Sequence, residues 1–381
     1  MAYFDNAATT YPKPETVYSF MDQFYRAYGG SAGRGSYKLA QTAGTLIADT
    51  RKEIQGLLHC PAKQVIFTPT DTIGLNIIIQ GLINSGIQSV YITPFEHNAV
   101  TRILYFYEKF KHLKIQQLAV TKELKYDLKK IQIQFENIKP ELIIMSHASN
   151  VCGLIAPVEE ISILAKRFGA TVVIDMAQTA GLIDCNVGLE TIDFAVFAGH
   201  KTLYGPTGIS GFVMKPDFIL PPVLFGGTGY DSANQNMPNS LPERLEMGTL
   251  NIAGIAGLNA AIKWIKEVSI SELRRRETIN RRLLLDLLQE YDFISIIGQF
   301  KDCEYVGVVS CLIDGISSDI AGNIFSQQGI SVRTGLHCAP LAHKFLKTYP
   351  AGTIRFSVSY FTNAHDFQEL RRTLDYIEEN L

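Results

Sequence analysis

Residues 171–201 read TVVIDMAQTAGLIDCNVGLETIDFAVFAGHK. Two runs in this stretch, Thr171–Asp175 and Phe194–Ala198, are apolar almost throughout, and polar residues follow each at once. A strand covered on both faces has this composition, because neither face carries the alternating polar residues of a half-exposed strand. Outward from here, runs of the same kind recur at 64–68, 89–93, 142–146 and 209–214. Between them, 72–82, 98–110 and 157–168 carry apolar residues at helical spacing. The β-α-β-α order predicts an α/β fold with a mostly parallel central sheet flanked by helices.

After Gly248 the pattern changes. A long helical stretch is predicted through Glu290, followed by strands near 293–297, 305–313 and 353–358. In a last helix Phe367, Leu370, Leu374, Ile377 and Leu381 form one apolar stripe. This outlines a smaller α+β C-terminal domain. The expected division is an N-terminal segment 1–15 packing with the small domain or a partner, a large α/β domain 16–250, and a small domain 251–381. An amphipathic helix is expected over 39–58.

At 381 residues, with 46% apolar, the chain is long enough for two or three domain-sized units and a large core. Its 35 basic and 37 acidic residues leave a net charge of −2, so no basic field exists to hold nucleic acid or an anionic membrane. Asp5 and Asn6 stand where a signal peptide needs apolar residues, and no apolar run approaches the roughly 18 residues of a membrane span. The expectation is a soluble, cytoplasmic protein. Six scattered cysteines without a C-x-x-C pair argue against a disulfide framework or a zinc site, and most read as core thiols.

In open parallel sheets ligands gather at the carboxyl ends of the strands. Asp175 closes the run VVI there, a costly place for an acid unless a cation or hydrogen-bond donor meets it; a helix N-cap is the plainer reading. The next strand leads into Ala198-Gly199-His200-Lys201-Thr202, which puts a lysine at the mouth of the sheet, unless it is simply solvated. Together the two meet the needs of pyridoxal phosphate: a lysine for the Schiff base and an acid facing the pyridine nitrogen. Thr70-Asp71-Thr72 opens a helix after a strand, where free N–H groups favour an anion such as the coenzyme phosphate. His97, opening another helix, is placed to lie on the ring. Two look-alikes are set aside. Gly199-His200-Lys201-Thr202 lacks the glycine spacing of a P-loop, and Gly226-Gly227-Thr228-Gly229 lacks the strand-to-helix frame of a dinucleotide site.

Seven ordered motifs run the length of the chain: YFDNAATT at 3–10, EHNAV at 96–100, SHASNVCG at 146–153, VIDMAQTAG at 173–181, GHKTLYGPTG at 199–208, EMGTLN at 246–251 and SVRTGLHCAP at 331–340. With them the chain resembles the cysteine desulfurase and selenocysteine lyase family of the class V aminotransferase superfamily. The resemblance implies the pyridoxal-phosphate fold type I, an obligate homodimer and L-cysteine or selenocysteine as substrate. It implies Lys201 as the Schiff-base lysine, Asp175 as the pyridinium partner and His97 as the stacking ring. Asn150 and Gln178 would bond the ring hydroxyl. Thr72 and His200, with Thr249 of the partner subunit, would hold the phosphate. Arg355 would grip the substrate carboxylate, a role suited to its bidentate fork, and Arg34 is a further candidate. Cys338 would be the nucleophile, with Arg333 and His337 nearby to favour its thiolate. A zinc site at His337, Cys338 and His343 lacks a second ligand pair, and Cys152 reads as packing beside the cofactor.

Three departures from the family pattern stand out: Ala198 where a phosphate-binding serine is usual, Asp71 beside the expected phosphate, and Met176 after the aspartate. The short stretch from Cys338 to Arg355 resembles desulfurases with a compact catalytic loop, so a sulfur-acceptor protein is expected to bring its own thiol to the site. The expected reaction is L-cysteine to L-alanine with a persulfide on Cys338. Selenocysteine lysis, transamination or an inactive relay scaffold are the alternatives.

Overall fold

The computed structural model describes residues 1–32, 35–229 and 232–380. Its strands are β1 (Ala2–Tyr3), β2 (Gln64–Thr68), β3 (Ser89–Ile92), β4 (Lys114–Gln117), β5 (Leu142–Ser146), β6 (Thr171–Asp175), β7 (Phe194–Ala198), β8 (Ser210–Met214), β9 (Ile294–Ile297), β10 (Val308–Ile313), β11 (Ile330–Ser331), β12 (Arg333–Gly335) and β13 (Thr353–Ser357). The central sheet has the order β2-β8-β7-β6-β5-β3-β4. Only β8 runs against the others.

The composition of the strands follows from their two covered faces. Val172 and Ile174 of β6, Ile143 and Met145 of β5 and Ala195 and Phe197 of β7 pack into one apolar cluster. Their neighbours Val173, Leu142, Ile144, Phe194 and Val196 pack into another on the opposite face. The helices Lys38–Leu57, Val158–Arg167 and Ile252–Val268 supply the first cluster, and Asp71–Asn84 and Asn98–Lys111 the second. β4, reading KIQQ, is a half-exposed edge strand with no apolar run to mark it.

A four-stranded antiparallel sheet of order β12-β13-β10-β9 forms the second unit, packed with helices Ser318–Gln327 and Ala364–Asn380. Leu370, Leu374 and Ile377 of the last helix are buried as its stripe requires; Leu381 lies outside the described residues. β1 pairs in parallel with β11, and Asp5 bridges to Ser357, the last residue of β13. Residues 2–5 therefore lie on this unit, while Ala7, Thr10 and Lys13 meet the large one.

The helical stretch predicted through Glu290 divides at Ser269, whose backbone has φ +77 and whose hydroxyl caps Glu272 N–H. Ile252–Val268 packs with the large sheet rather than with the smaller one, where the sequence placed it. The change of core falls along Ile270–Leu288: Leu273 belongs to the first cluster, Leu284 onward to the small-sheet cluster. Among the described residues no helix is long and apolar enough to cross a membrane.

Candidate active site

The carboxyl ends of β2, β3, β5, β6 and β7 converge on one side of the central sheet, and the candidate residues stand there. Asp175 ends β6, buried, with Oδ1 accepting Ala177 N–H at 2.9 Å. Burial, with the charge of Asp71 behind it, raises its carboxyl to about 6, and Lys201 pulls the other way. Beside it Ser146 ends β5, and the wholly buried Glu96 accepts three hydrogen bonds there: Ser146 N–H and Oγ–H, both at 2.8 Å, and Thr93 Oγ–H at 2.6 Å. Burial pushes Glu96 up to about 7. This acid ties the end of β3 to the end of β5 and so places the next residue, His97.

His97 caps the helix Asn98–Lys111, its Nδ1 accepting Ala99 N–H at 3.1 Å. That bond puts the imidazole proton on Nε2, and burial together with Lys201 lowers the ring to about 4, so it is neutral. His200 is likewise lowered to about 4 by burial and then Lys201, and its buried Nδ1 has no partner among the described residues. Lys201 Nζ likewise makes no hydrogen bond or ion pair among the described residues, and its charge acts on Asp175, His97 and His200.

At the end of β2, Thr70 Oγ1 caps Ile73 N–H at 3.2 Å and Asp71 Oδ1 accepts Thr72 N–H at 2.9 Å. Asp71 stays close enough for its charge to act on Asp175, His97 and His200. Thr72 is exposed beside it. Thr249 is also exposed and lines neither cleft at Cys338; Glu246 anchors its loop by accepting Arg51 at 3.0 and 2.8 Å and Phe67 N–H at 2.6 Å. Arg34 lies outside the described residues.

The Cys338 loop is clamped from three sides. Asn98 N–H donates to Cys338 C=O at 2.7 Å, Asn150 Nδ2 donates to His337 C=O at 2.7 Å, and His337 Nε2 meets Thr353 Oγ1 at 2.9 Å. His337 and Cys338 both adopt left-handed backbone, at φ +48 and +56, so their side chains diverge. Cys338 is exposed. Two clefts of about 510 and 840 Å³ flank it, the smaller shared with Thr72 and His97. His337 turns inward against His343, with ring centroids 5.4 Å apart, and burial lowers it to about 2. It is neutral and cannot favour a thiolate by charge, contrary to the sequence expectation. Arg355 and Cys338 lie within electrostatic reach of each other.

Arg355 is only 2% exposed. Its Nη2 donates to Asp5 Oδ1 at 2.8 Å, its Nη1 to Asn150 C=O at 3.0 Å, and its Nε is buried without a partner. Arg333 stands directly opposite it across the strand pair and donates to Asp5 Oδ2 at 3.2 Å from Nε. Asp5 thus resolves two like charges that would repel. Gln178 Nε2 donates to Ala7 C=O at 2.9 Å, fastening the same N-terminal segment.

Asp5, Glu96 and Lys13 were not singled out on the sequence, although Asp5 and Glu96 lie inside quoted motifs. Lys13 Nζ donates to His200 C=O at 2.6 Å and Thr10 Oγ1 at 2.7 Å, and burial lowers it to about 7. Its signal was a lone lysine between two prolines, which carries no chemistry by itself.

The aminotransferase class-V family model matches residues 2–370. A protein of Pyrococcus abyssi described as a probable cysteine desulfurase is 30% identical over the whole of this chain and 94% of its own length. One from Halalkalibacterium halodurans with the same description is 30% identical, covering 100% and 93%. Among solved structures, the apo cysteine desulfurase of Thermococcus onnurineus superposes with a TM-score of 0.90 at 29% identity, covering 100% of this chain and 95% of that one. A cysteine desulfurase of Escherichia coli does so at 0.86 and 26%, covering 100% and 95%. The chain belongs to the aminotransferase class-V family and stands among its cysteine desulfurases.

Proposed function

We propose that this chain converts L-cysteine to L-alanine, holds the released sulfur as a persulfide on Cys338 and passes it to a thiol acceptor. The carrying observation is the clamped, exposed Cys338 at the N-terminus of the helix that His97 caps, facing the cleft that Thr72 and His97 also line. The family works with pyridoxal phosphate. The residues here fit that group: Lys201 Nζ and the buried Nδ1 of His200 lack partners among the described residues, and Asp175 is a buried acid poised near neutrality. When bound, the coenzyme supplies a sink for the electron pair released at the substrate.

Lys201 would hold the coenzyme aldehyde and, once freed by the substrate amine, take the α-proton at Nζ. Asp175 would accept the ring N–H, which offsets the cost of its burial. His97, neutral, would lie against the ring without adding charge. Asn150 and Gln178 would reach the ring hydroxyl, and Thr72, His200 and the partner subunit's Thr249 the phosphate, in a homodimer. Arg355, fixed by Asp5, would orient the substrate carboxylate, with Arg34 a further candidate. The Cys338 thiolate would attack the substrate sulfur: an S–S bond forms as the C–S bond breaks. A loop clamped at Asn98, Asn150 and Thr353 cannot travel, so the acceptor would bring its thiol to Cys338.

The test is product analysis with L-cysteine and L-selenocysteine, using the native enzyme and Cys338→Ala. Alanine and sulfide from L-cysteine, lost in Cys338→Ala, support the reading. Selenide release retained by the variant alongside loss of sulfide would move the assignment to selenocysteine lysis, and sulfide release unaffected by the variant would remove Cys338 as nucleophile.

A further inference from the structure

We propose that Arg102 selects the sulfur acceptor: the thiol that relieves Cys338 carries a negative charge beside its SH group, and the Arg102 guanidinium binds that charge. This rests on the desulfurase reading and deepens it.

Asn98 and Arg102 lie one turn apart on the same face of the helix Asn98–Lys111. Asn98 N–H holds the Cys338 carbonyl at 2.7 Å, which brings Arg102 alongside the thiol loop. Both flanking clefts are lined by Asn98, Arg102 and Cys338 together, so the guanidinium stands on the wall they share. Arg102 is exposed and makes no hydrogen bond or ion pair among the described residues. Among the described residues, Arg333 closes on Asp5, and Arg355, buried and held by the same Asp5, is the group assigned to the substrate carboxylate; neither lines these clefts. Glu108 lines only the larger cleft, about 9 Å farther along the helix axis, so the end beside Cys338 is the basic one. A thiol entering that cleft over Leu104, Ile115 and Leu341 meets a free cation next to its target.

In the transfer, the acceptor thiolate attacks the outer sulfur of the Cys338 persulfide. A new S–S bond forms to the acceptor, the Cys338 Sγ–S bond breaks, and Cys338 leaves as thiolate. One sulfur changes owner, and no outside oxidant or reductant is needed.

The holoenzyme is loaded with L-cysteine, and persulfide loss from Cys338 is timed with 2-mercaptoethanesulfonate and with 2-mercaptoethanol, which differ in charge. The native enzyme is expected to favour the sulfonate by about fivefold at low salt, the size of one partly screened ion pair, and the preference shrinks as salt is raised. Arg102→Met should abolish the preference by slowing the sulfonate alone, and Arg102→Lys should keep part of it. The burst of alanine formed without any thiol should match the native burst. No preference in the native enzyme, or an Arg102→Met variant that slows both thiols or the alanine burst equally, would overturn the proposal by assigning Arg102 to Cys338 or the coenzyme. Absence of both alanine burst and persulfide in the native holoenzyme would overturn the desulfurase reading itself.

Discussion

Asp5→Ala tests whether the substrate-side arginine is held as the geometry indicates. Arg355 is 2% exposed, and its guanidinium has two described acceptors, Asp5 Oδ1 at 2.8 Å and Asn150 C=O at 3.0 Å. Removing Asp5 leaves a buried cation with one neutral acceptor, a class of lesion that costs about 3–5 kcal/mol. The Arg333 half of the bridge adds little, because that side chain is 46% exposed and solvent screens it. The expected loss is therefore about 3–5 kcal/mol, and Asp5→Asn, which keeps an acceptor oxygen, should lose less. The assay is urea denaturation followed by circular dichroism for the native chain, Asp5→Ala, Arg355→Met and the double variant. Because Arg355→Met removes the buried charge, the double variant should be much less damaged than the two losses added, with a coupling of about 2–4 kcal/mol. A coupling below about 0.5 kcal/mol would refute the claim that Asp5 compensates Arg355. In the holoenzyme Asp5→Asn should raise KM for L-cysteine more than it lowers kcat, since it disturbs the group assigned to the carboxylate.

Asp71→Thr should tighten pyridoxal phosphate binding several-fold, by removing a like charge from the field around His200; titrating the coenzyme-free protein by fluorescence checks this, and weaker binding would contradict it. Stability of the coenzyme-free chain should rise between about pH 4.5 and 6.5. His97, His147, His200 and His343 are lowered by burial to about 4 and His337 to about 2, so in this window the unfolded chain binds protons at five sites that the folded chain leaves neutral. Glu96, Glu277 and Asp175, raised by burial, act in the opposite direction but are fewer. Urea midpoints that fall with pH across the window would contradict this. Glu96→Ala should destabilise by roughly 2–4 kcal/mol, because it strands buried Ser146 N–H and two hydroxyl donors; calorimetry that shows no loss would remove Glu96 as the tie between β3 and β5.

The sheet was legible where both faces of a strand are buried. β5, β6 and β7 lie where their apolar runs do, because a run without alternation has one physical explanation. β4 was not, since KIQQ at an edge looks like any polar connection. The break at Ser269 was missed although Ser269-Ile270-Ser271-Glu272 has the spacing of a capping box, because apolar residues continue on both sides of it. At the site, Asp175, Lys201, His97 and Cys338 were legible from residue type at strand ends and from the ordered motifs. The environment that tunes them was not. Asp5 and Arg355 are 350 positions apart and meet where the N-terminal segment bridges to Ser357 at the end of β13. His337 and Cys338 are adjacent, yet one is buried and neutral and the other exposed, and both have left-handed backbone that residue type does not announce.

All of the proposed chemistry depends on Lys201 carrying the coenzyme. The direct measurement is borohydride reduction of the purified holoenzyme, followed by proteolysis and mass mapping. The expected result is one phosphopyridoxyl adduct, on the peptide containing Lys201, and none in Lys201→Ala. An adduct on another lysine, or none in a protein that still releases sulfide from L-cysteine, would contradict the account.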